Sequence, residues 1–436
     1  MSKYDKASLV HIPSGYKSGT LYNVLPNDAG GDFNFTRATT ATRVDENGLI
    51  ETIAIGTPRL NYPLLDGVVQ DNPTLLLEPQ RSNIFINSEI FSYLTSVNGA
   101  SASNTNETNS PKGDLTADLL VSSAIGNVQG IYRTITFISG VTHTISVFAK
   151  SKEVKVLQLQ GGGSGWGANT YVNFDLENGV FEEGAGIISN SAFMTKMPNG
   201  WYRCGFSAST VGTSANVSFD LVNNVTDVRD AAFNGTIGDG LYLWGAMVEA
   251  YASYPTSYIP TGGSTVTRSA DVANGAGTAD DFNDSEGVLY ANVANIDTSV
   301  QSRLSLNSGN ATTNKIHIGY NPSNTKIELF IIDGSNSTVV NSQGLITDNN
   351  SKIAVNYSSS SFFGYVNGFK TAIGTARTPS GFDDLSFNRG DSVVNFYGKA
   401  KEVIAFNEAL SDTELEALTS YDSFNSMATE LLFTIE

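Results

Sequence analysis

Few residues in this sequence have the type and spacing to carry chemistry. Histidine occurs three times, as His11, His143 and His317, in three separate segments. Cysteine occurs once, as Cys204 in "WYRCGFS", where Tyr202 and Phe206 share its side of an alternating pattern. A lone thiol in that setting is better read as a small buried hydrophobe than as a nucleophile, and it rules out intrachain disulfides. There is no Gly-X-Ser-X-Gly elbow, zinc spacing, phosphate loop or EF-hand loop. Glu182 and Glu183 are adjacent; neighbours on a strand point to opposite faces, so this pair cannot flank one glycosidic bond. Two acidic features have the chemistry for a structural calcium ion. One is "DDFNDSEG", with Asp280, Asp281 and Asp284 before Glu286, and the other is Glu249 at a strand end. The plainer reading of the acidic run is a solvated linker. No other cofactor is expected.

Sugar recognition needs an aromatic face for C–H groups and short polar side chains for hydroxyls. Trp166 stands in "GGGSGWGAN", a loop with no apolar neighbours, and Tyr171 follows at the start of the next strand pattern. These two are the glycan-binding candidates. The alternative for Trp166 is a plug over one open end of a sandwich. Trp201 and Trp244 lie inside strand patterns, which favours core packing.

The elements that must position these residues are strands. The chain has 436 residues, 40% apolar and only 16% charged, with 42 glycines. Short apolar runs separated by Gly, Asn, Ser and Thr predict an all-β protein. Residues 1–90 read as an irregular β region, with a hairpin turning at Asn47-Gly48 and a continuous apolar run at Leu75, Leu76 and Leu77 that needs cover on both sides, for which another subunit is one source. Residues 91–265 alternate as a jelly-roll sandwich, for example Ile145, Val147 and Ala149, or Val172, Phe174 and Leu176. Residues 266–436 read as a second sandwich ending in a helix, where Ser411 and Glu414 form a capping box and Leu415 and Leu418 share a face. The ribbon "YASYPTSYIPTGGSTVTRSADV" separates the two. Its tyrosines are too apolar for a free linker, so Arg268 is expected in an inter-domain seam, paired with a carboxylate. Arg37 and Arg43 are expected to make a similar seam at the other end.

The net charge of −18 comes with no basic stripe. Nucleic acid and anionic membranes are therefore not expected partners, whereas sugars and proteins remain open. "MSKYDKASLVHIPSG" lacks the apolar core of a signal peptide, and no apolar run reaches membrane-spanning length. Synthesis in a cytoplasm without export is expected.

In this order, "DFNFTRATTATRVDENGLIE", "PTLLLEPQRSN", "NGWYRC" and "LYLWGAMVEAYASYPTSYIPTGGSTVTRSADV" resemble a family of bacteriophage virion proteins of tail-fibre, head-fibre or carbohydrate-binding type. The last third resembles a laminin-G-like, concanavalin A-type sandwich through "IAVNY…FFGYVNG" and "VIAFNEALSDTELEAL". The resemblance implies a non-enzymatic component of the virion surface, assembled in the host cytoplasm, that contacts host cell-surface carbohydrate. Residues 1–90 would then dock to other virion proteins, in a homo-oligomer. Two other readings stand beside it: a polysaccharide depolymerase, and an architectural decoration protein without a ligand.

Overall fold

The computed structural model describes residues 4–13, 16–17, 20–296, 300–309, 313–342 and 351–423. Among them the chain is almost entirely strand, and its one α-helix is Asp412–Thr419. No helix among the described residues is long and apolar enough to cross a membrane.

Two antiparallel sandwiches carry the fold, each made from one large and one smaller sheet. In the middle sandwich an eight-stranded sheet centred on Thr142–Ser151 and Gly240–Ala250 faces a six-stranded sheet centred on Gln129–Thr136, Val156–Gly162 and Ser214–Val222. The inward positions Ile145, Val147, Ala149, Leu157, Leu159, Val172, Phe174, Cys204 and Phe206 form one core, as their alternation requires. The C-terminal sandwich pairs an eight-stranded sheet, built on Glu286–Asn295, Ser351–Ser358 and Gly398–Phe406, with a five-stranded sheet of Ser302–Asn307, Lys315–Asn321, Lys326–Asp333, Asn336–Asn341 and Asp384–Ser386. Asn367 and Gly368 turn with positive φ between Phe362–Val366 and Phe369–Lys370, and Gly48 does the same in the first hairpin.

The first 90 residues build no core of their own; some of their strands join the two eight-stranded sheets, and the others form a four-stranded sheet with Val272–Asn274 and two separate hairpins. Ala7–His11 and Thr74–Leu77 pair with successive parts of Gly398–Phe406, as Val10 opposite Ile404 and Leu75 opposite Ala400. Phe33–Thr36 pairs with Val272–Asn274, and Arg81–Asn83 with Val266–Arg268. The apolar Leu75–Leu77 run is thus covered within this chain, at 0%, 5% and 1% exposure. No second subunit is needed to bury it.

Both eight-stranded sheets are closed on their outer faces as well, which simple alternation did not anticipate. Phe148, Trp201, Tyr242, Trp244 and Met247 point away from the middle core, yet all are buried, with Ile50, Met197, Tyr258 and Ile259 packed over them. The outer face of the C-terminal sheet carries Val288, Tyr290, Phe363, Tyr365 and Ile404, and the helix covers it with Leu415. That helix has the expected capping box, with Ser411 accepting from the Glu414 N–H. Among the described residues of the two sandwiches, the six- and five-stranded sheets have the more polar outer faces.

Candidate functional site

Arginines and carboxylates from four segments meet where the sandwiches join. Arg268 Nη1 lies 2.8 Å from Glu78 Oε2, Arg59 Nη1 lies 2.6 Å from the same oxygen, and Arg37 Nη1 lies 3.1 Å from Asp271 Oδ1. Arg59 also contacts Asp271 through Nη2. Ser257 of the proline-braced ribbon donates to Glu78 through both its N–H (2.7 Å) and its hydroxyl (2.6 Å). Burial alone would raise the Glu78 carboxyl, but the Arg268 and Arg59 guanidiniums hold it well below the usual range. Arg268 is thus paired with a carboxylate in a seam, while Arg37, expected in a second seam at the other end, joins this same cluster through Asp271. Arg43 does not: its guanidinium spans its own hairpin to Glu51 at 2.8 Å, because the two residues are direct cross-strand partners. Arg59 joins the seam unannounced by the sequence, since nothing local distinguishes it.

Trp166 is not an exposed sugar platform. It is 3% exposed, its indole N–H donates to Asn216 O at 3.0 Å, and its ring meets Phe137 edge-on at 5.0 Å and His143 at 6.1 Å. The glycine-rich run exists to seat it: a Cβ on Gly161 would fall 2.6 Å from the indole Cγ. The loop supplies no apolar neighbours, but the open end of the sandwich does. Tyr171 is half-buried on the outer face of the six-stranded sheet, its ring over Gly184, and does not share a site with Trp166.

The calcium candidates are used by the chain itself. Glu249 is buried and binds the Thr256 N–H at 3.1 Å and the Thr256 hydroxyl at 2.5 Å. Asp281 accepts from Thr278 N–H at 2.8 Å, and Asp284 from Gly381 N–H at 2.8 Å and Phe382 N–H at 2.9 Å. Asp280 is exposed and its carboxylate joins neither group. Among the described residues no three His, Cys, Asp or Glu side chains gather as metal ligands. Cys204 is buried and its thiol is pushed up by that burial, which suits packing and not reactivity.

The six-stranded sheet lays a row of amides on its outer face. Gln158 and Asn173 bond each other at 2.8 Å and hold the Val225–Val228 loop through its carbonyls. Gln160 bonds Asp220 and Asp230 and accepts from Arg229. The loop 223–234 covers this row, so its polar groups are committed to the chain. Burial raises the Asp220 carboxyl to about 7.

The five-stranded sheet is different. Arg303, Lys315, His317, Glu328, Phe330 and Arg389 line a cleft of about 420 Å³ on its outer face. Strand alternation puts Leu304, Ile316, Ile318 and Leu329 into the core and these side chains opposite. His317 stacks on its cross-strand partner Phe330, ring centroids 4.5 Å apart and 7° from parallel. Glu328 accepts from Arg303 Nη2 at 2.9 Å, from His317 Nε2 at 3.3 Å and from Asn321 Nδ2 at 3.1 Å. Burial lowers His317 to about 4, so it is neutral at pH 7, donating from Nε2 and leaving Nδ1 as an unpaired buried acceptor. Arg303 Nε is likewise without a partner. Sequence reading missed this cleft, because Arg303, Lys315, His317, Glu328, Phe330 and Arg389 are spread over three strands and a loop with no motif between them.

No family model matches the chain, and no curated protein sequence does. Among solved structures, domains LG4-5 of the mouse laminin alpha1 chain are similar to it, at 9% identity and a TM-score of 0.24 over 77% of this chain and 96% of that one. The fold therefore rests on the sheets themselves: an all-β chain of two sandwiches.

Proposed function

We propose that this chain is a non-enzymatic, glycan-binding structural protein, displayed on a bacteriophage surface, and that it binds host carbohydrate in the cleft of the C-terminal sandwich. The virion setting, the docking to other virion proteins and self-assembly rest on the sequence resemblance alone. Glycan binding rests on one observation, the cleft on the outer face of the five-stranded sheet. Its volume suits one or two sugar rings, Phe330 and Val339 give it apolar walls, and strand backbones fix its polar groups in advance. Among the described residues, the eight-stranded sheets are covered and the amide row of the middle sandwich is occupied by its own loop, which favours this face for a ligand.

The same cleft argues against hydrolysis. Glu328 is the one carboxylate lining it among the described residues, and the His317 hydrogen bond and the Arg303 charge keep it ionised. A glycosidase needs a second carboxyl across the bond, one of them protonated. The test is titration of the purified chain with host surface oligosaccharides, beside a Phe330→Ala variant and an assay for released reducing ends. Binding that Phe330→Ala weakens several-fold, without release of sugar, is the expected result. Sustained release would establish the depolymerase instead, and binding lost on Tyr171→Ala but not on Phe330→Ala would move the site to the middle sandwich.

A further inference from the structure

Resting on that glycan reading, we infer that the cleft selects sugars bearing an anionic group (a carboxylate, sulfate or phosphate) and that Lys315 with Arg303 receives it. Three cations, Arg303, Lys315 and Arg389, line the cleft against the single carboxylate of Glu328. That carboxylate is already shared by Arg303, His317 and Asn321, and Lys315 is not among its donors. Arg389 is bound at the rim to Asp391. Lys315 is 3% exposed; its ammonium donates to the Arg389 carbonyl at 2.7 Å and makes no direct ion pair among the described residues, the Asp391 carboxylate acting on it only from farther off while bound to Arg389. A buried ammonium without a direct ion-pair partner is costly. Arg303 Nε, buried and without an acceptor, is the second unmet donor there. In a chain of net charge −18, a cleft with this local balance is the exception.

A neutral sugar would leave both deficits in place. An anionic substituent between Lys315 and Arg303 would remove them with charge-assisted hydrogen bonds, while Phe330 takes the C–H face of the ring and His317 Nδ1 accepts from a hydroxyl. The pH dependence follows. Burial lowers Lys315 to about 8, with Asp391 opposing that shift and Arg389 and Arg303 adding to it. His317 is neutral and Glu328 ionised on either side of that value, so Lys315 is the group that titrates. Affinity for the anion should fall as pH rises through about 8.

The experiment compares matched neutral, uronate-bearing and sulfate-bearing oligosaccharides by calorimetry on the full chain and on Lys315→Gln and Lys315→Arg. The expected result is at least about tenfold tighter binding of an acidic sugar, the effect of one desolvated charged hydrogen bond. Lys315→Gln should abolish the preference and Lys315→Arg keep it; the uronate and sulfate arms identify the anion. Equal binding of neutral and acidic sugars overturns the inference and leaves glycan binding standing. Failure of every sugar to bind overturns both. If Lys315→Gln does not fold, the unaltered chain decides, because an acidic preference that persists undiminished above pH 9 excludes Lys315 as its source.

Discussion

Arg59 Nη1 lies 2.6 Å from Glu78 Oε2, and both side chains are buried where the N-terminal strands, the ribbon and the C-terminal sandwich meet. The contact belongs to a chain of alternating charge, Arg37–Asp271–Arg59–Glu78–Arg268, whose members come from four separate stretches of sequence. Removing Asp271 leaves Arg37 buried without its carboxylate, and such a loss costs about 3–5 kcal/mol. Asp271→Ala should therefore lower unfolding free energy by about that amount in urea titration. Glu78 adds a pH signature. Its folded carboxyl is depressed, so the stability it contributes is present above the ordinary carboxylate range and is lost as pH falls towards the depressed value. Glu78→Gln should flatten the acid limb of the stability profile.

Trp166→Ala should cost about 3–5 kcal/mol, the range for deleting a buried tryptophan. Gly161→Ala should destabilise as well, because its new methyl would collide with the indole. A Trp166→Ala chain with unchanged melting and reduced sugar binding would restore the exposed-platform reading.

Asp220 makes the opposite pH prediction from Glu78. Burial raises its folded carboxyl to about 7 from an ordinary 3.8. Between those values the folded state binds more protons, so stability should fall as pH rises, by up to about 1.4 kcal/mol per unit. Asp220→Asn should remove this slope and stabilise the chain above pH 7. Thermal melts across pH 4–8 decide it; identical slopes in both chains would mean that Asp220 is ionised when folded.

Deleting residues 1–90 should abolish soluble folding, not simply detach a docking arm. The deletion takes Leu9, Leu21, Phe33, Phe35, Leu75 and Leu77 out of the C-terminal core and strips the partners from Gly398–Phe406. The bare strand would be an exposed edge prone to aggregation. A truncated chain that melts cooperatively as a soluble species would show that the sandwiches stand alone.

Local pattern carried the sequence reading as far as local physics does. Alternation found Val172, Phe174 and Cys204 facing inward, and the Ser411–Glu414 spacing found the capping box, because strand period and cap geometry are set within a few residues. What failed depended on partners far along the chain. Trp166 looked exposed because its neighbours are glycines, while its true contacts are Phe137, His143 and Asn216. Leu75–Leu77 looked in need of a second subunit because the strand that covers them begins at Gly398. The cleft residues Arg303, Lys315, His317 and Glu328 are ordinary polar positions on the solvent side of strands; only strand registration brings them together.

The pairing of Ala7–His11 with Gly398–Phe406 also dictates when this protein can be finished. Tyr4 and its partner Glu402 are 398 positions apart. A ribosome releases the first strands long before it makes the residues that receive them, so for most of synthesis Leu9, Phe33 and Leu75 have no destination. Contacts of such separation close slowly, and the waiting segment is open to aggregation in the meantime. The middle sandwich, whose strands all lie between residues 81 and 268, can mature first. Closure of the C-terminal sandwich, whose sheet carries the cleft, is then the last event, whereas the seam residues, all between Arg37 and Asp271, are made well before it.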